Sequence, residues 1–300
     1  MHWHVLGAGA MGCLFASFLR AAGQETTLVL RESPGANEVI LKLERDESTD
    51  EIPLAVCTAA DPGSISHLLV STKAYDVHQA VMGVAHRLDH NSKVLLMTNG
   101  MGLLEELHSD LPWLDIYQGA TTEGAYRVAP WHICHAGRGQ TRMGQTGMRE
   151  PPDWFTSWRC ALATCTWNAD IDAALWRKLT INCAINPLTA VHRCSNGELT
   201  RRAELTAELS LLCGEIARVS TAAGYPAIAD QLETTVMEVV ANTANNRSSM
   251  LQDVLQGKPT EIDYITGHLV KVAGRYQVPT PLNNALLEQL HALTGDAASH

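Results

Sequence analysis

The 300-residue sequence predicts an α/β protein in which a doubly wound parallel sheet precedes an all-helical domain. Two observations support this fold class. Up to residue 168, apolar strand-like segments alternate with helical ones, which is typical of a parallel sheet covered by helices on both faces. After residue 168 the strand pattern disappears and long helical patterns follow. We therefore predict one domain over residues 1–168 and a second over residues 169–300.

The predicted elements follow the order that such a fold requires. In the first domain, two apolar strands flank an N-terminal helix, and the last of them ends at Arg31. Further strands are predicted near 38–43, 54–58, 67–75, 93–102 and 165–167, with short β segments over 115–146 and helices over 76–88, 102–108 and 152–163. In the second domain, helices are predicted over about 170–186, 198–223, 227–243, 259–275 and 281–293.

The first strand runs into the glycine turn GAGAMG, which opens the first helix. Gly7 would permit a tight turn, Gly9 would let a ligand approach the backbone, and Gly12 would let the helix pack closely on the strand. A helix N-terminus at this point favours a phosphate group. The turn therefore predicts a dinucleotide site of the Rossmann type; a tight turn without a ligand would explain one glycine but not all three. The cofactor-binding residues predicted here are Gly7, Ala8, Gly9, Ala10, Met11 and Gly12.

The end of the second strand predicts which nicotinamide cofactor is bound. NAD sites usually carry an acidic residue about 20 positions after the glycines, where it binds the ribose 2′-hydroxyl. Here Arg31 lies at that place. Because a guanidinium pairs with a 2′-phosphate, we predict NADP(H). Glu32 is the open alternative, since it would reach a ribose diol if the strand ended one residue later.

Composition and charge narrow the remaining function classes. A net charge of −10 argues against nucleic acid as a partner but leaves room for a small anionic substrate. No apolar run reaches the roughly 18 residues of a membrane span, and the N-terminus does not resemble a signal peptide, so we expect a cytoplasmic protein. The eight cysteines form no CxxC pair, so we expect reduced thiols. His86 and His90 in HRLDH have i, i+4 spacing but lack the glutamate of an HExxH motif, and HICH at 132–135 is predicted to be a strand, so we expect no metal. The oligomeric state stays open, a homodimer included.

The helix predicted from residue 170 carries a polar stripe within an apolar sequence. Lys178, Asn182 and Asn186 are spaced by four residues and therefore share one face. Buried polar groups need partners, so the stripe either belongs to a structural network or lines a polar cleft. Simple exposure would explain the lysine alone but not all three residues.

Three further residues are candidates by position. Lys73 and Asn99 end two predicted strands, at the sheet edge where ligands of α/β proteins bind. Loop solvation is the alternative for Lys73, and a turn residue with a left-handed backbone is the alternative for Asn99. Glu261 is predicted in the first turn of a helix, where it would also simply offset the helix dipole.

Taken together, the motifs resemble those of the ketopantoate reductase (2-dehydropantoate 2-reductase) family over nearly the whole chain. The matching segments are GAGAMG (7–12), TKAYD (72–76), NGMG (99–102), WRKLTINCAINPLTA (176–190), NGEL (196–199), SSMLQD (248–253) and TEIDYITG (260–267). The resemblance implies reduction of ketopantoate to (R)-pantoate with NADPH, on the route to pantothenate and coenzyme A.

The resemblance also implies roles for individual residues. Lys178 matches the catalytic lysine, Glu261 the active-site glutamate, which also lies on the cofactor side, and Asn99 a residue that touches both cofactor and substrate. Matching substrate-binding positions are Asn182, Asn186, Asn196 and Ser249. Matching cofactor positions are Arg31, Lys73 and Ala125, of which Ala125 lies in a segment, TTEGAYR, that departs from the family pattern.

The chemistry of these residues suits reduction of a 2-oxo acid. A hydride that adds to a ketone carbon leaves negative charge on the oxygen, and a lysine, with an ordinary pKa of about 10.4, is a cation that stabilises this charge and donates a proton. Two alternatives stay open. The first is an NAD(P)-dependent enzyme for another 2-oxo acid or an opine-type substrate, and the second is a non-catalytic NADPH-binding sensor.

Overall fold

The computed structural model describes residues 1–46 and 48–295, which divide into two compact units. The first unit comprises residues 1–98 and 103–174. The second comprises the loop 99–102 together with the chain from residue 175 onward. No helix among the described residues is long and apolar enough to cross a membrane.

Among its described residues (1–46, 48–98 and 103–174), the first unit contains a single sheet, four complete α-helices and a 3-10 helix at Ala85–Arg87. The strands are β1 (His2–Leu6), β2 (Glu25–Leu30), β3 (Glu38–Arg45), β4 (Ser48–Thr58), β5 (His67–Val70), β6 (Lys93–Leu96), β7 (Asp115–Thr121), β8 (Gly124–Ala129), β9 (His132–Gly137), β10 (Thr141–Gly144) and β11 (Cys165–Trp167). The helices are α1 (Ala10–Ala21), α2 (Ala74–Val84), α3 (Leu103–Asp110) and α4 (Phe155–Ala161).

The centre of the sheet has the predicted Rossmann topology. Six strands are parallel and lie in the order β4-β2-β1-β5-β6-β7, so the strand order reverses at β1. Ligands of doubly wound folds bind beyond the carboxyl ends of the strands at this reversal. The glycine turn begins there, directly after Leu6, and the α/β architecture predicted from the sequence is confirmed.

The margins of the sheet differ from the prediction of a uniformly parallel sheet covered on both faces. β3 is antiparallel to β4, β8 to β9 and β10 to β7. In β3, Val39, Leu41 and Leu43 are buried, while Ile40 and Lys42 between them are exposed. Antiparallel strands tolerate one face exposed to solvent. Buried and exposed residues therefore alternate along β3, whereas the central strands are continuously apolar.

Aromatic packing holds α4 and α1 against the first strand. The ring of Trp3 in β1 makes edge-on contacts with Trp154 and Trp158, at centroid distances of 5.5 and 5.4 Å. Phe15 of α1 meets Trp158 in the same edge-on manner at 5.6 Å. These buried rings fix the strand and the helix that flank the glycine turn.

The second unit is helical throughout the part of the chain described, 175–295, as predicted. Its helices are α5 (Ile171–Val191, which begins within the first unit), α6 (Glu198–Arg201), α7 (Ala203–Ala222), α8 (Pro226–Asn242), α9 (Ser249–Leu255), α10 (His268–Arg275) and α11 (Pro281–Thr294), with a π-helical segment at Asp263–Gly267.

Two helix predictions for this unit were wrong in part, and one helix was missed. The helix expected over 198–223 is broken at Arg202, whose backbone is extended, with φ −101° and ψ 117°. The helix expected over 259–275 begins only after Glu261, and α9 was not predicted at all.

Candidate active site

The predicted lysine of the polar stripe hydrogen-bonds a residue from a distant loop. The ammonium of Lys178 in α5 donates to Oδ1 of Asn99 at 2.9 Å. Nδ2 of Asn99 in turn donates to Oε2 of Glu261 at 3.2 Å. All three residues belong to the second unit, and 162 residues of sequence separate Asn99 from Glu261. Folding therefore links three of the predicted site residues in one hydrogen-bonded chain.

Burial changes the acid strength of the lysine. Glu261 is only 5% exposed, and Lys178 is half-buried. Desolvation lowers the pKa of the Lys178 ammonium from 10.5 to about 8, and the negative charge of Glu261 opposes that change. The result is a cation at neutral pH that gives up its proton far more readily than an ordinary lysine.

The loop that carries Asn99 is shaped by its two glycines. Gly100 and Gly102 have positive φ values of 82° and 97°, whereas Asn99 does not. A side chain at Gly100 would lie 2.5 Å from the carbonyl oxygen of Tyr264, which accepts a hydrogen bond from Met101 at 2.9 Å. The alternative interpretation of Asn99 as the left-handed turn residue is therefore wrong, because the glycines serve that purpose and leave the carboxamide for Lys178 and Glu261.

Glu261 lies immediately before a helix and not within its first turn. Its backbone carbonyl accepts hydrogen bonds from Tyr264 and Ile265, at 3.2 and 3.1 Å. The prediction of a first-turn glutamate is corrected by this geometry, since Glu261 is the residue that precedes the helix and its carbonyl accepts the first i→i+4 bond. The π-helical segment Asp263–Gly267 follows, and such segments occur frequently at functional sites.

The remaining predicted substrate residues differ in their surroundings. In the stripe, Asn182 is partly exposed and Asn186 is 8% exposed. Asn196 is 7% exposed; its Nδ2 donates to Oγ1 of Thr243 at 2.9 Å, while its buried Oδ1 has no hydrogen-bond donor. Ser249, at the start of α9, is exposed.

Its neighbour Ser248 has the structural role. The Ser248 hydroxyl accepts a hydrogen bond from the Leu251 amide at 3.1 Å, which caps α9. It accepts a second from Oγ1 of Thr189 in α5 at 2.7 Å, so α9 is attached to the helix that carries Lys178. A serine three residues before Leu251 is a capping signal that the sequence already contained.

The glycine turn has the backbone that a dinucleotide needs. Gly7 has φ 105°, and a side chain at Gly12 would lie 2.0 Å from the Gly7 carbonyl oxygen. A side chain at Gly9 would meet nothing within 4 Å, so the space in front of the turn is open. The first turn of α1 contains no acidic residue that would repel an anion. These features fit a pyrophosphate at the N-terminus of α1.

The other predicted cofactor residues also lie in the first unit. Arg31 directly follows β2, and its guanidinium pairs with the carboxylate of Asp76, with Nη2 and Oδ2 2.6 Å apart. Glu32 beside it is exposed. Lys73 lies three residues beyond β5, where it is the N-cap of α2, and Ala125 packs in β8 against the apolar core.

Two polar residues of this unit were not predicted from the sequence. Asp76 lies within the family motif TKAYD, but no role was predicted for it. Arg127 was not singled out, yet its guanidinium donates to the carbonyl of Ala8 in the glycine turn. Arg127 lies in β8, the strand at one margin of the sheet, which pairs with β9. This contact was not predictable, because the pairing of β8 with β9 could not be derived from the sequence.

The described residues contain no metal-binding constellation. Across 1–46 and 48–295, no three His, Cys, Asp or Glu side chains are grouped closely enough to hold an ion. All eight cysteines are free thiols.

Comparison with known proteins identifies relatives over nearly the whole chain. Residues 3–147 match the family model for ketopantoate reductase PanE/ApbA, and residues 170–294 match the model for its C-terminal part. A 2-dehydropantoate 2-reductase from Vibrio cholerae is 36% identical over 291 residues, which cover 96% of each chain.

Solved structures share the fold. A PanE/ApbA family ketopantoate reductase from Ralstonia eutropha superposes with a TM-score of 0.87 and 24% identity, covering 99% of each chain. D-mandelate dehydrogenase, in a ternary structure with NADH and anilino(oxo)acetate, gives a TM-score of 0.85 with 20% identity and the same coverage. At these identities the likeness concerns the fold, whereas the family matches confirm the resemblance predicted from the motifs.

Proposed function

This chain belongs to the ketopantoate reductase family, and on that premise we propose that it reduces 2-dehydropantoate to (R)-pantoate with NADPH. The observation that carries the proposal is the hydrogen-bonded chain from Lys178 through Asn99 to Glu261. It supplies a cation of lowered pKa, held in place by an amide, which is the group that reduction of a ketone requires.

Lys178 is the proton donor in this proposal. Bound NADPH would supply the hydride that adds to the carbonyl carbon of the 2-oxo acid. The ammonium of Lys178 stabilises the negative charge that grows on the carbonyl oxygen and then donates its proton there. With a pKa of about 8, Lys178 is mostly protonated at pH 7 and is still a stronger acid than a solvated lysine.

Asn99 and Glu261 orient the proton donor. Since Oδ1 of Asn99 accepts a hydrogen bond from the ammonium, the amide restricts where Nζ can lie. Glu261 accepts from the other end of the same amide and so fixes which way it points. The negative charge of Glu261 also keeps Lys178 protonated near neutral pH, because it raises the lysine pKa against the effect of burial.

The substrate is proposed to bind along the polar stripe and the helices that follow it. Ketopantoate presents a carboxylate and a hydroxyl group, which neutral amides and a serine bind without adding charge. The Oδ1 atom of Asn196, buried and without a donor, suits the substrate hydroxyl. The substrate-binding residues in this proposal are Asn99, Lys178, Asn182, Asn186, Asn196 and Ser249.

Binding of the cofactor's pyrophosphate and ribose 2′-phosphate is proposed for the first domain, residues 1–168, and catalysis for the second, residues 169–300. The open space at Gly9 and the N-terminus of α1 support a pyrophosphate at the glycine turn. The exposed guanidinium of Arg31 supports a 2′-phosphate. The full proposed set is Gly7, Ala8, Gly9, Ala10, Met11, Gly12, Arg31, Lys73, Asn99, Ala125 and Glu261.

A spectrophotometric assay tests the reaction. Purified protein, ketopantoate and NADPH should consume NADPH, which is followed at about 340 nm by loss of reduced-nicotinamide absorbance. The panel should include benzoylformate and short 2-oxo acids, because the fold is shared with D-mandelate dehydrogenase. A higher kcat/KM for one of these acids than for ketopantoate would reassign the substrate and keep the reaction class. Tight NADPH binding with no oxidation by any acid would instead indicate a sensor.

The proposal also covers the binding partner, the oligomeric state and the cellular compartment of the protein. The partner of the protein is a small 2-oxo acid. A homodimer stays a prediction, which sedimentation velocity would test. Eight free cysteines are consistent with a reducing cytoplasm, which we propose as the compartment.

A further inference from the structure

The carboxylate of Asp76 forms an ion pair with Arg31, the residue that we assign to the 2′-phosphate. The Arg31 side chain is 82% exposed and reaches Asp76, whose own side chain is only 28% exposed. Asp76 lies in the first turn of α2, where its amide donates to the carbonyl oxygen of Lys73 at 2.9 Å. The less exposed carboxylate is thus fixed by its helix, and the exposed guanidinium extends toward it.

This pairing has different consequences for the two nicotinamide cofactors. The 2′-phosphate of NADPH would approach a guanidinium that already has an anionic partner, and the two anions would repel each other at short distance. The 2′-hydroxyl of NADH carries no charge and meets no such repulsion.

We propose that Asp76 is a specificity-determining residue, which lowers the preference for NADPH over NADH by holding Arg31. The proposal rests on the assignment of Arg31 to the 2′-phosphate. It differs from a purely structural role, in which Asp76 only offsets the dipole of α2. A structural role would change the thermal stability of the protein without changing the ratio of the two cofactor affinities.

The test compares cofactor binding by the wild type and by Asp76→Asn in the absence of substrate. Dissociation constants for NADPH and NADH are measured by calorimetry, and adenosine 2′,5′-bisphosphate and ADP are used as probes of the ribose end alone. We expect the substitution to tighten NADPH about fivefold, the upper range for an exposed ion pair, and to change NADH less than about twofold. The bisphosphate should follow NADPH, and ADP should follow NADH.

Glu25→Gln is the matched control. Glu25 is an exposed acid at the opposite end of β2, so its removal changes the net charge equally at a distance from Arg31. An equal gain in NADPH affinity from Glu25→Gln would overturn the proposal, since the effect would then be one of overall charge. A second comparison uses the Arg31→Ala background, in which Asp76→Asn should tighten NADPH less than it does in the wild type. An equal gain there would also contradict the proposal.

The remaining outcomes separate this inference from the function on which it rests. If the wild type binds NADPH and Asp76→Asn leaves the NADPH-to-NADH ratio unchanged or lowers it, the inference fails and the proposed function stands. If the wild type does not bind NADPH, the proposed function fails and the inference with it. A lowered melting temperature with an unchanged ratio identifies the structural role and overturns the inference.

Discussion

The glycine turn and the lysine cluster are built in opposite ways. The turn consists of six consecutive residues, 7–12, and acts through the shape of its backbone. The cluster joins Asn99, Lys178 and Glu261, which come from three separate segments and act through their side chains. The turn lies in the first compact unit and the cluster in the second.

The difference shows which kinds of substitution each site tolerates. A backbone site is destroyed by adding atoms where a glycine makes space, but it is insensitive to the identity of side chains that point away. A side-chain site is destroyed by removing one functional group, while the fold around it persists. The following experiments test this contrast, beginning with the largest expected effect.

Substitution of Lys178 by alanine should abolish most of the activity. We expect kcat/KM for ketopantoate to fall by about 10²- to 10⁴-fold, the usual contribution of a positioned general acid, while NADPH affinity changes little. Lys271→Ala is the control, because Lys271 is an exposed lysine of α10 in the same unit. Steady-state kinetics and cofactor titration measure both quantities, and unchanged turnover in Lys178→Ala would remove the lysine from the mechanism.

Two alanine substitutions in the glycine turn should have opposite consequences. At Gly12 the new side chain would lie 2.0 Å from the Gly7 carbonyl oxygen, so we expect a loss of roughly 3 kcal/mol in the free energy of unfolding. At Gly9 the side chain would meet no protein atom within 4 Å, so the stability should persist while NADPH affinity falls. Thermal melts and cofactor titration of both variants separate these effects. If Gly9→Ala binds NADPH like the wild type, the phosphates do not approach the turn there.

The same contrast explains which parts of the site could be predicted from the sequence. The glycine turn was predictable because its determinants are adjacent and each has a local steric reason. The stripe that contains Lys178 was predictable from its four-residue spacing within an apolar helix. The contact of Asn99 with Glu261 was not, because nothing local indicates which of two segments 162 residues apart will meet.

The fold shows the same limit. The ends of strands β1 and β2 and both ends of helix α8 were placed to within a residue, since apolar strands and Pro226 give strong local signals. The break at Arg202 was missed because no glycine or proline marks it. Helix α9 was missed because it has only seven residues and its stability comes from Ser248 and Thr189, which are far apart in sequence.

Removal of the Glu261 charge should shift the pH dependence of the reaction. Since Lys178 has a pKa of about 8, the reductive kcat/KM should be constant below that pH and fall as pH rises through it. Glu261 raises this pKa, so Glu261→Gln should lower it and move the falling limb to lower pH. Asp263→Asn is the control, because Asp263 is 63% exposed and pairs with His291. If kcat/KM of Glu261→Gln falls at the same pH as in the wild type, the Glu261 carboxylate does not influence the pKa of Lys178.

The smallest effect is expected at the end of β2, where an exposed side chain is assigned to one cofactor group. Arg31→Ala should weaken NADPH by about fivefold and leave NADH nearly unchanged, because only NADPH carries the phosphate that the guanidinium pairs with. Glu32→Gln should change both affinities by less than about twofold, since β2 ends at Leu30 and Arg31 is the first residue beyond it. Equal weakening of both cofactors by Arg31→Ala would contradict the assignment. A selective loss of NADH affinity in Glu32→Gln would instead identify Glu32 as the ribose ligand, and the acidic residue would then define an NAD site at the position where we predict NADP.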